Sequence, residues 1–177
     1  MIEQKIRSEV RDIIDFPKDG IVFKDITPIL KNPALCTEIV EEFVTRVAHL
    51  KIDAIVGIES RGFLFGMLLA NRLQKPFIPV RKEGKLPYKS IKTVCDLEYG
   101  TAVLEIHQDA FPAGSKVLLH DDLLATGGTI SAAVDLIQQL GGNVVACSFL
   151  ISLNFLDGKK LIEEDLQKEC IVLLEYQ

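Results

Sequence analysis

The sequence has no excess of positive charge: 20 lysines and arginines face 25 aspartates and glutamates, a formal net charge of −5. Such a chain offers no broad field for nucleic acid or an anionic membrane, so no nucleic-acid partner is expected and any phosphate site has to be local. Nor do the four cysteines, Cys36, Cys95, Cys147 and Cys170, form a C-x-x-C pair. Their spacing excludes a zinc ribbon and a dithiol redox motif, leaving buried reduced thiols in a cytoplasmic protein as the expectation. Long apolar runs are missing too. The most apolar stretch near the middle, residues 63–70, is far shorter than the ~20 residues of a bilayer-spanning helix. The charged N-terminus, MIEQKIRSEVRDIID, lacks the apolar core of a secretory signal. A soluble chain with no membrane partner is the reading.

What is present fits a single domain spanning residues 1–177, with 48% hydrophobic residues and no repeat, low-complexity tract or linker. Ile2, Ile6, Val10, Ile13 and Ile14 recur at helical spacing and predict a helix over the first fifteen residues, ending before Pro17. Residues 15–30, punctuated by Pro17, Gly20 and Pro28, read as an ordered loop with a short extended piece at 21–23. A helical pattern from Pro33 leads into a buried strand over 53–58, followed by a helix over 63–73 and a strand over 77–80. Residues 81–96 are polar, carry Gly84 and Pro87, and read as a mobile excursion of the functional kind. Strands over 102–106, 117–120 and 144–151, with a helix from about Ser131 to Leu140, complete the pattern. It implies an α/β fold, a mainly parallel twisted sheet flanked by helices, with ligand sites beyond the carboxyl ends of the strands.

The most informative stretch is VLLHDDLLATGGT, residues 117–129. An apolar strand runs into two adjacent carboxylates, Asp121 and Asp122, which point to opposite sides if the extended geometry persists. Gly127 and Gly128 let backbone N–H groups curl around an anion, and the following helix offers unpaired N–H groups and a positive dipole end. Together they make a phosphate cup. The stretch lacks the Gly-Lys-Ser/Thr of a Walker loop and does not fit G-x-G-x-x-G. Read without further context, it is either such a cup or a turn that only starts a helix.

The stretch resembles the phosphoribosyl diphosphate signature of the type I phosphoribosyltransferases, in the form of their adenine-specific branch. By that resemblance Asp121 and Asp122 serve the ribose hydroxyls and a magnesium-bound ligand, and Ala125, Thr126, Gly127, Gly128 and Thr129 bind the 5-phosphate. Residues 55–66, IVGIESRGFLFG, resemble the family's pyrophosphate loop. They supply Ser60, Arg61 and a cis Glu59-Ser60 peptide. Arg81 and Lys85, in RKEGKLP, resemble the start of a flexible loop spanning about 81–99 and are implied to reach the pyrophosphate from the open side. Leu97-Glu98-Tyr99-Gly100 resembles its catalytic end, with Glu98 handling the proton at the purine and Tyr99 in the lid. Residues 15–30 resemble the adenine-holding hood, where Phe23 can stack on a purine and the backbones of Val22 and Lys24 can read its edge. Leu153 matches a position lining the base pocket.

The resemblance implies a magnesium-dependent transfer of the phosphoribosyl group of phosphoribosyl diphosphate to N9 of adenine, giving AMP and diphosphate, in a cytoplasmic homodimer. Three positions depart from the family's usual residues: Lys24 stands for arginine, His120 for an aliphatic residue and Ser152 for an acidic one. His120 reads as a tolerated or partner-satisfied histidine. Two rival readings remain at this level. One is transfer to hypoxanthine, guanine or orotate, which the hood and the Leu-Glu-Tyr-Gly segment oppose; the other is a regulator that only senses phosphoribosyl diphosphate, for which no DNA-binding segment is expected.

Overall fold

All five residues of Ala54–Ile58 are buried, the pattern of a strand at the centre of a sheet with both faces covered. The computed structural model describes residues 1–97 and 100–177. In chain order its elements are α1 (Ile2–Glu9), β1 (Arg11–Ile14), β2 (Val22–Asp25), α2 (Thr27–Leu30), α3 (Pro33–Arg46), β3 (Ala54–Ile58), α4 (Gly62–Leu73), β4 (Phe77–Lys82), β5 (Ser90–Leu97), β6 (Gly100–His107), β7 (Lys116–Leu124), α5 (Gly128–Gln139), β8 (Asn143–Leu153), α6 (Gly158–Lys160) and β9 (Glu169–Tyr176). The larger sheet runs β5-β6-β4-β3-β7-β8-β9, with β3 at its centre. Pairings from β4 across to β9 are parallel, while β6 pairs antiparallel with both β4 and β5. This is the mainly parallel α/β architecture that the alternation of strands and helices implies.

Alternation along β3 and β7 divides the core in two. Val56, Ile58 and Leu119 face a layer built from Ile130, Ala133, Leu136 and Ile137 of α5. Ile55 and Leu118 face the opposite layer, where Ile6, Ile39, Phe43, Phe65 and Leu69 bring α1, α3 and α4 together. Local signals start these helices: Asn32 accepts a hydrogen bond from the Leu35 N–H and precedes Pro33 at the first position of α3. Among the described residues no helix is long and apolar enough to cross a membrane.

Three elements differ from the sequence expectation. The first helix stops at Glu9 because Val10 is extended, and residues 11–14 become β1, paired antiparallel with β2. Arg11–Asp25 and Lys24–Asp12 ion pairs, at 3.2 and 2.7 Å, tie that ladder. Ile14 is 74% exposed, so its apolar spacing marks no buried helical face. Residues 81–96 are not one irregular excursion: β4 continues to Lys82 and β5 begins at Ser90. Their period of two is hidden because the core-side position Thr93 is polar, its hydroxyl donating to Asp135 of α5 at 2.9 Å. The turn between β4 and β5 is held by buried Glu105, which accepts from Lys85 N, Leu86 N and Ser90 Oγ at 3.0, 2.9 and 3.2 Å. Last, β9 extends the sheet beyond the strands anticipated, burying Ile171, Val172, Leu173 and Leu174 beside β8.

Candidate active site

Parallel pairing sets Gly57 opposite His120, so the loop after β3 and the carboxylates of β7 emerge side by side at one edge. Glu59-Ser60 is a cis peptide, as the resemblance implies. Arg61 is the N-cap of α4, which opens at Gly62. A Cβ at Gly62 would lie 2.8 Å from Oδ1 of Asp121 and 3.0 Å from the His120 carbonyl oxygen. Only glycine lets this helix start nest against the end of β7.

β7 runs on through Leu124, so the strand alternation covers both aspartates. Asp122 is buried and its Oδ2 lies 3.0 Å from Nε of Arg61. The geometry is off the hydrogen-bonding axis: Oδ2 gains the opposite charge but no directed donor. Asp121 accepts the Asp122 N–H at 2.8 Å. Burial, then the neighbouring Asp122 charge, pushes the Asp121 carboxyl well above the usual carboxylate range. Burial also raises Asp122, with Arg61 opposing it. Two carboxylates that resist carrying full charge together are poised to meet a cation, a hydroxyl or developing positive charge.

Ala125 and Thr126 lead from β7 to Gly127, which caps α5 with φ +86°. That left-handed value suits glycine, and a Cβ there would also come within 3.2 Å of Leu161. Gly128 and Thr129 form the first turn of α5, so their N–H groups are among those a helix leaves unpaired for an anion. Thr129 Oγ1 accepts from the Cys95 thiol at 3.7 Å, which brings β5 against this loop. Glu98 and Tyr99, the next residues in the chain after β5, lie outside the described residues.

Arg81 and Lys85 converge on the pyrophosphate loop through Glu59, a residue that the sequence alone does not mark. Glu59, its side chain only 7% exposed, pairs with Arg81 Nε at 3.2 Å and with Lys85 Nζ, and accepts the Lys82 N–H at 3.0 Å. Burial pushes this carboxyl up, but Lys85, the Lys82 N–H and Arg81 outweigh it and hold it below its usual range. Ser60 lies beside this cluster, directly after Glu59 in the chain.

β2 supplies Val22, Phe23 and Lys24. Phe16 packs edge-on against the Phe23 ring, with centroids 5.2 Å apart. The Arg61 guanidinium sits over the same ring at 4.8 Å, and its Nη1 donates to the Lys24 carbonyl at 3.1 Å. The Lys24 ammonium points elsewhere, pairing with Asp12 and lying 4.0 Å over the Tyr176 ring. The lysine-for-arginine departure is therefore taken up in packing the hood, leaving the main chain of Lys24 to face the site. Leu153 is half-buried at the end of β8. Ser152 donates to Asn154, whose amide donates to Glu175, both at 2.8 Å.

A phosphoribosyl transferase domain matches residues 25–173 of this chain. The adenine phosphoribosyltransferase of Flavobacterium johnsoniae is 53% identical over 160 residues, 90% of this chain and 94% of its own. The crystal structure of the adenine phosphoribosyltransferase of Thermoanaerobacter pseudethanolicus is 45% identical and aligns with a TM-score of 0.94 over 99% of this chain and all of that one. The chain belongs to the adenine phosphoribosyltransferases. A further adenine phosphoribosyltransferase, that of Saccharomyces cerevisiae in complex with an imino-altritol bisphosphate and adenine, is 40% identical with a TM-score of 0.90, covering 98% of each chain.

Within this adenine phosphoribosyltransferase fold, the His120 ring points into the core, beside Gly66 of α4. It is fully buried, edge-on to Phe43 at 5.3 Å, and bonded through Nδ1 to Ser148 Oγ at 2.9 Å. Ser148 Oγ in turn donates to the Leu119 carbonyl, which assigns the proton to Nδ1 and leaves Nε2 a lone pair without a partner. Burial depresses the imidazole to about 3, so it is neutral, with a partner at Nδ1 and a tolerated, unpaired Nε2. Glu59 and Glu105 are the residues that sequence reasoning does not reach. Glu59 stands in plain view in Glu-Ser-Arg-Gly, but its meaning lies in cations more than twenty positions away.

Proposed function

We propose that this AMP-forming transfer uses the two strand-end loops as separate anion sites, with the hood holding the base between them. One observation carries the reading: Arg61 touches Phe23, the Lys24 carbonyl and Asp122 at once, so the base, ribose and pyrophosphate regions adjoin around one side chain. Val22, Phe23, Lys24 and Leu153 hold adenine, with Phe23 stacking and the Lys24 main chain reading the edge. Ala125, Thr126, Gly127, Gly128 and Thr129 take the 5-phosphate. Ser60, Arg61, Arg81 and Lys85 take the diphosphate.

Breaking the bond between the ribose anomeric carbon and the diphosphate sends the electron pair to the leaving group. N9 of adenine forms the new bond, and its proton goes to Glu98, with Tyr99 in the covering lid. Asp121 and Asp122 face the ribose hydroxyls and balance the positive character that builds at the anomeric carbon. The orphaned Oδ2 of Asp122 fits a hydroxyl or a metal-bound ligand. Magnesium would be carried by the substrate's own oxygens, with Asp121 and Asp122 the carboxylates able to meet it. When bound, magnesium neutralises diphosphate charge. A cytoplasmic homodimer completes the proposal; the four cysteines are free thiols, which suits a reducing compartment.

The test is a base panel of adenine, hypoxanthine, guanine and orotate, each with phosphoribosyl diphosphate and magnesium. Adenine should be converted and the 6-oxopurines be much poorer, because a backbone acceptor that suits a 6-amino group leaves a 6-oxo group unpaired. Comparable turnover of hypoxanthine overturns the assignment.

A further inference from the structure

Arg61 and adenine lay claim to the same atoms. A purine stacked on Phe23 and hydrogen-bonded to the main chain of Lys24 needs the ring and the carbonyl that the guanidinium already holds, at 4.8 and 3.1 Å. On the ring face that the guanidinium covers, the two exclude each other. Yet Arg61 begins at the N-cap of α4, beside Ser60 and within the loop assigned to diphosphate, so its side chain can reach either region by rotating about its own torsions.

We infer that Arg61 couples the two substrate sites: it competes with adenine for the Phe23 ring and the Lys24 carbonyl, and the diphosphate of the sugar substrate draws it away. This rests on the assignment of the hood to adenine and of the β3-α4 loop to diphosphate. The chemistry sets the direction. On the base side Arg61 has one neutral acceptor, one aromatic face and an off-axis carboxylate. Diphosphate oxygens are anionic acceptors that a guanidinium can meet with two parallel hydrogen bonds, and these are the stronger partners. Adenine arriving alone has to displace the guanidinium; adenine arriving after the diphosphate does not. Linkage then requires the reverse, that adenine improves diphosphate binding by the same factor.

The experiment is calorimetric titration of the full chain with adenine, with and without inorganic diphosphate and magnesium, comparing wild type with Arg61→Met. Methionine keeps an apolar stem without a guanidinium. For wild type, diphosphate should tighten adenine binding by about 5- to 150-fold, the usual range of coupling between sites. In Arg61→Met adenine alone should bind more tightly than to wild type, and the effect of diphosphate on it should fall to about twofold or less, below that range. Unchanged or lost adenine affinity in the variant, or coupling that survives the substitution, overturns the inference. If Arg61→Met melts below the assay temperature, Arg61→Lys serves under the same criteria, since an ammonium cannot hold the ring and the carbonyl with one planar group. AMP formation by the wild-type preparation is measured in parallel. Its absence removes the underlying assignment, whereas AMP formation with coupling unaffected by the substitution removes this inference alone.

Discussion

Gly62 and Asp121 stand closer than any other residue pair could at these positions, with a Cβ on Gly62 reaching 2.8 Å from Oδ1 and 3.0 Å from Cα of the aspartate. Because the second contact is with backbone, no rotamer change relieves it. Gly62→Ala should destabilise the fold by about 1–3 kcal/mol, the usual cost of overpacking. It should also lower kcat/KM by displacing Asp121. Denaturant unfolding and steady-state kinetics on one preparation read both effects, and an alanine variant with unchanged stability and activity would show that the two elements are not tightly nested.

Gly127→Val and Gly128→Val should abolish binding of phosphoribosyl diphosphate while leaving the fold largely intact. At Gly127 the obstacle is twofold, a left-handed φ of +86° and the Leu161 methyl 3.2 Å from a built Cβ. At Gly128, in the first turn of α5, a branched side chain would crowd the approach of phosphate to backbone N–H groups. Circular dichroism with a ligand titration checks it. A folded valine variant that still binds the sugar diphosphate would reduce the loop to a helix start.

The buried His120 predicts an acid-side loss of stability. Its folded value of about 3 lies below the ordinary 6.5, so between those values the unfolded chain takes up a proton that the native protein refuses. Its contribution is complete above about pH 6.5 and declines as pH falls toward 3, with a slope approaching ~1.4 kcal/mol per pH unit for one proton. Urea unfolding at a series of pH values should show this slope in wild type and a shallower one in His120→Leu. Parallel slopes for the two proteins would contradict the assignment.

Glu98→Gln should lower kcat by ~10² to 10⁴, the range typical of one general acid or base. Affinity for phosphoribosyl diphosphate should change little, because the proposed holders of that substrate, residues 125–129 and the Asp121/Asp122 pair, sit on other elements. Single-turnover rates and binding measured on the same variant separate the roles. Collapse of affinity with an unchanged chemical step would make Glu98 a binding residue.

What the sequence discloses depends on how local each feature is. The strand end and helix start of the proposed phosphate cup are legible because strand, carboxylates, glycines and helix are contiguous from Val117 to Thr129, and each residue type has its own physical reason to be there. The cis Glu59-Ser60 peptide is anticipated only through resemblance, since no local rule demands it. β1 reads as helix because five apolar residues at helical spacing outweigh the charges that pair across the hood, Arg11 with Asp25 and Asp12 with Lys24. β5 escapes notice because Thr93 places a hydroxyl where the pattern needs an apolar residue. Glu59 and Glu105 are invisible for a different reason: each gathers partners from separate elements, and such convergence exists only after the sheet has formed. Arg61 is named by the resemblance as a pyrophosphate residue, but its contacts with Phe23 and Asp122 escape the sequence for the same reason, since both lie far from it in the chain.

The pairing of Arg81 and Lys85 with Glu59, and of Arg61 with Asp122, also bears on how fast substrate arrives. Arg81, Lys85 and Arg61 are each already paired with a carboxylate, Glu59 or Asp122, on a chain whose total is −5, so little long-range attraction for a polyanion radiates from the site. Association should then depend only weakly on ionic strength. In the proposed roles the cations act after encounter, when they exchange a carboxylate for a phosphate at contact distance, and their electrostatic work appears in residence time and not in capture.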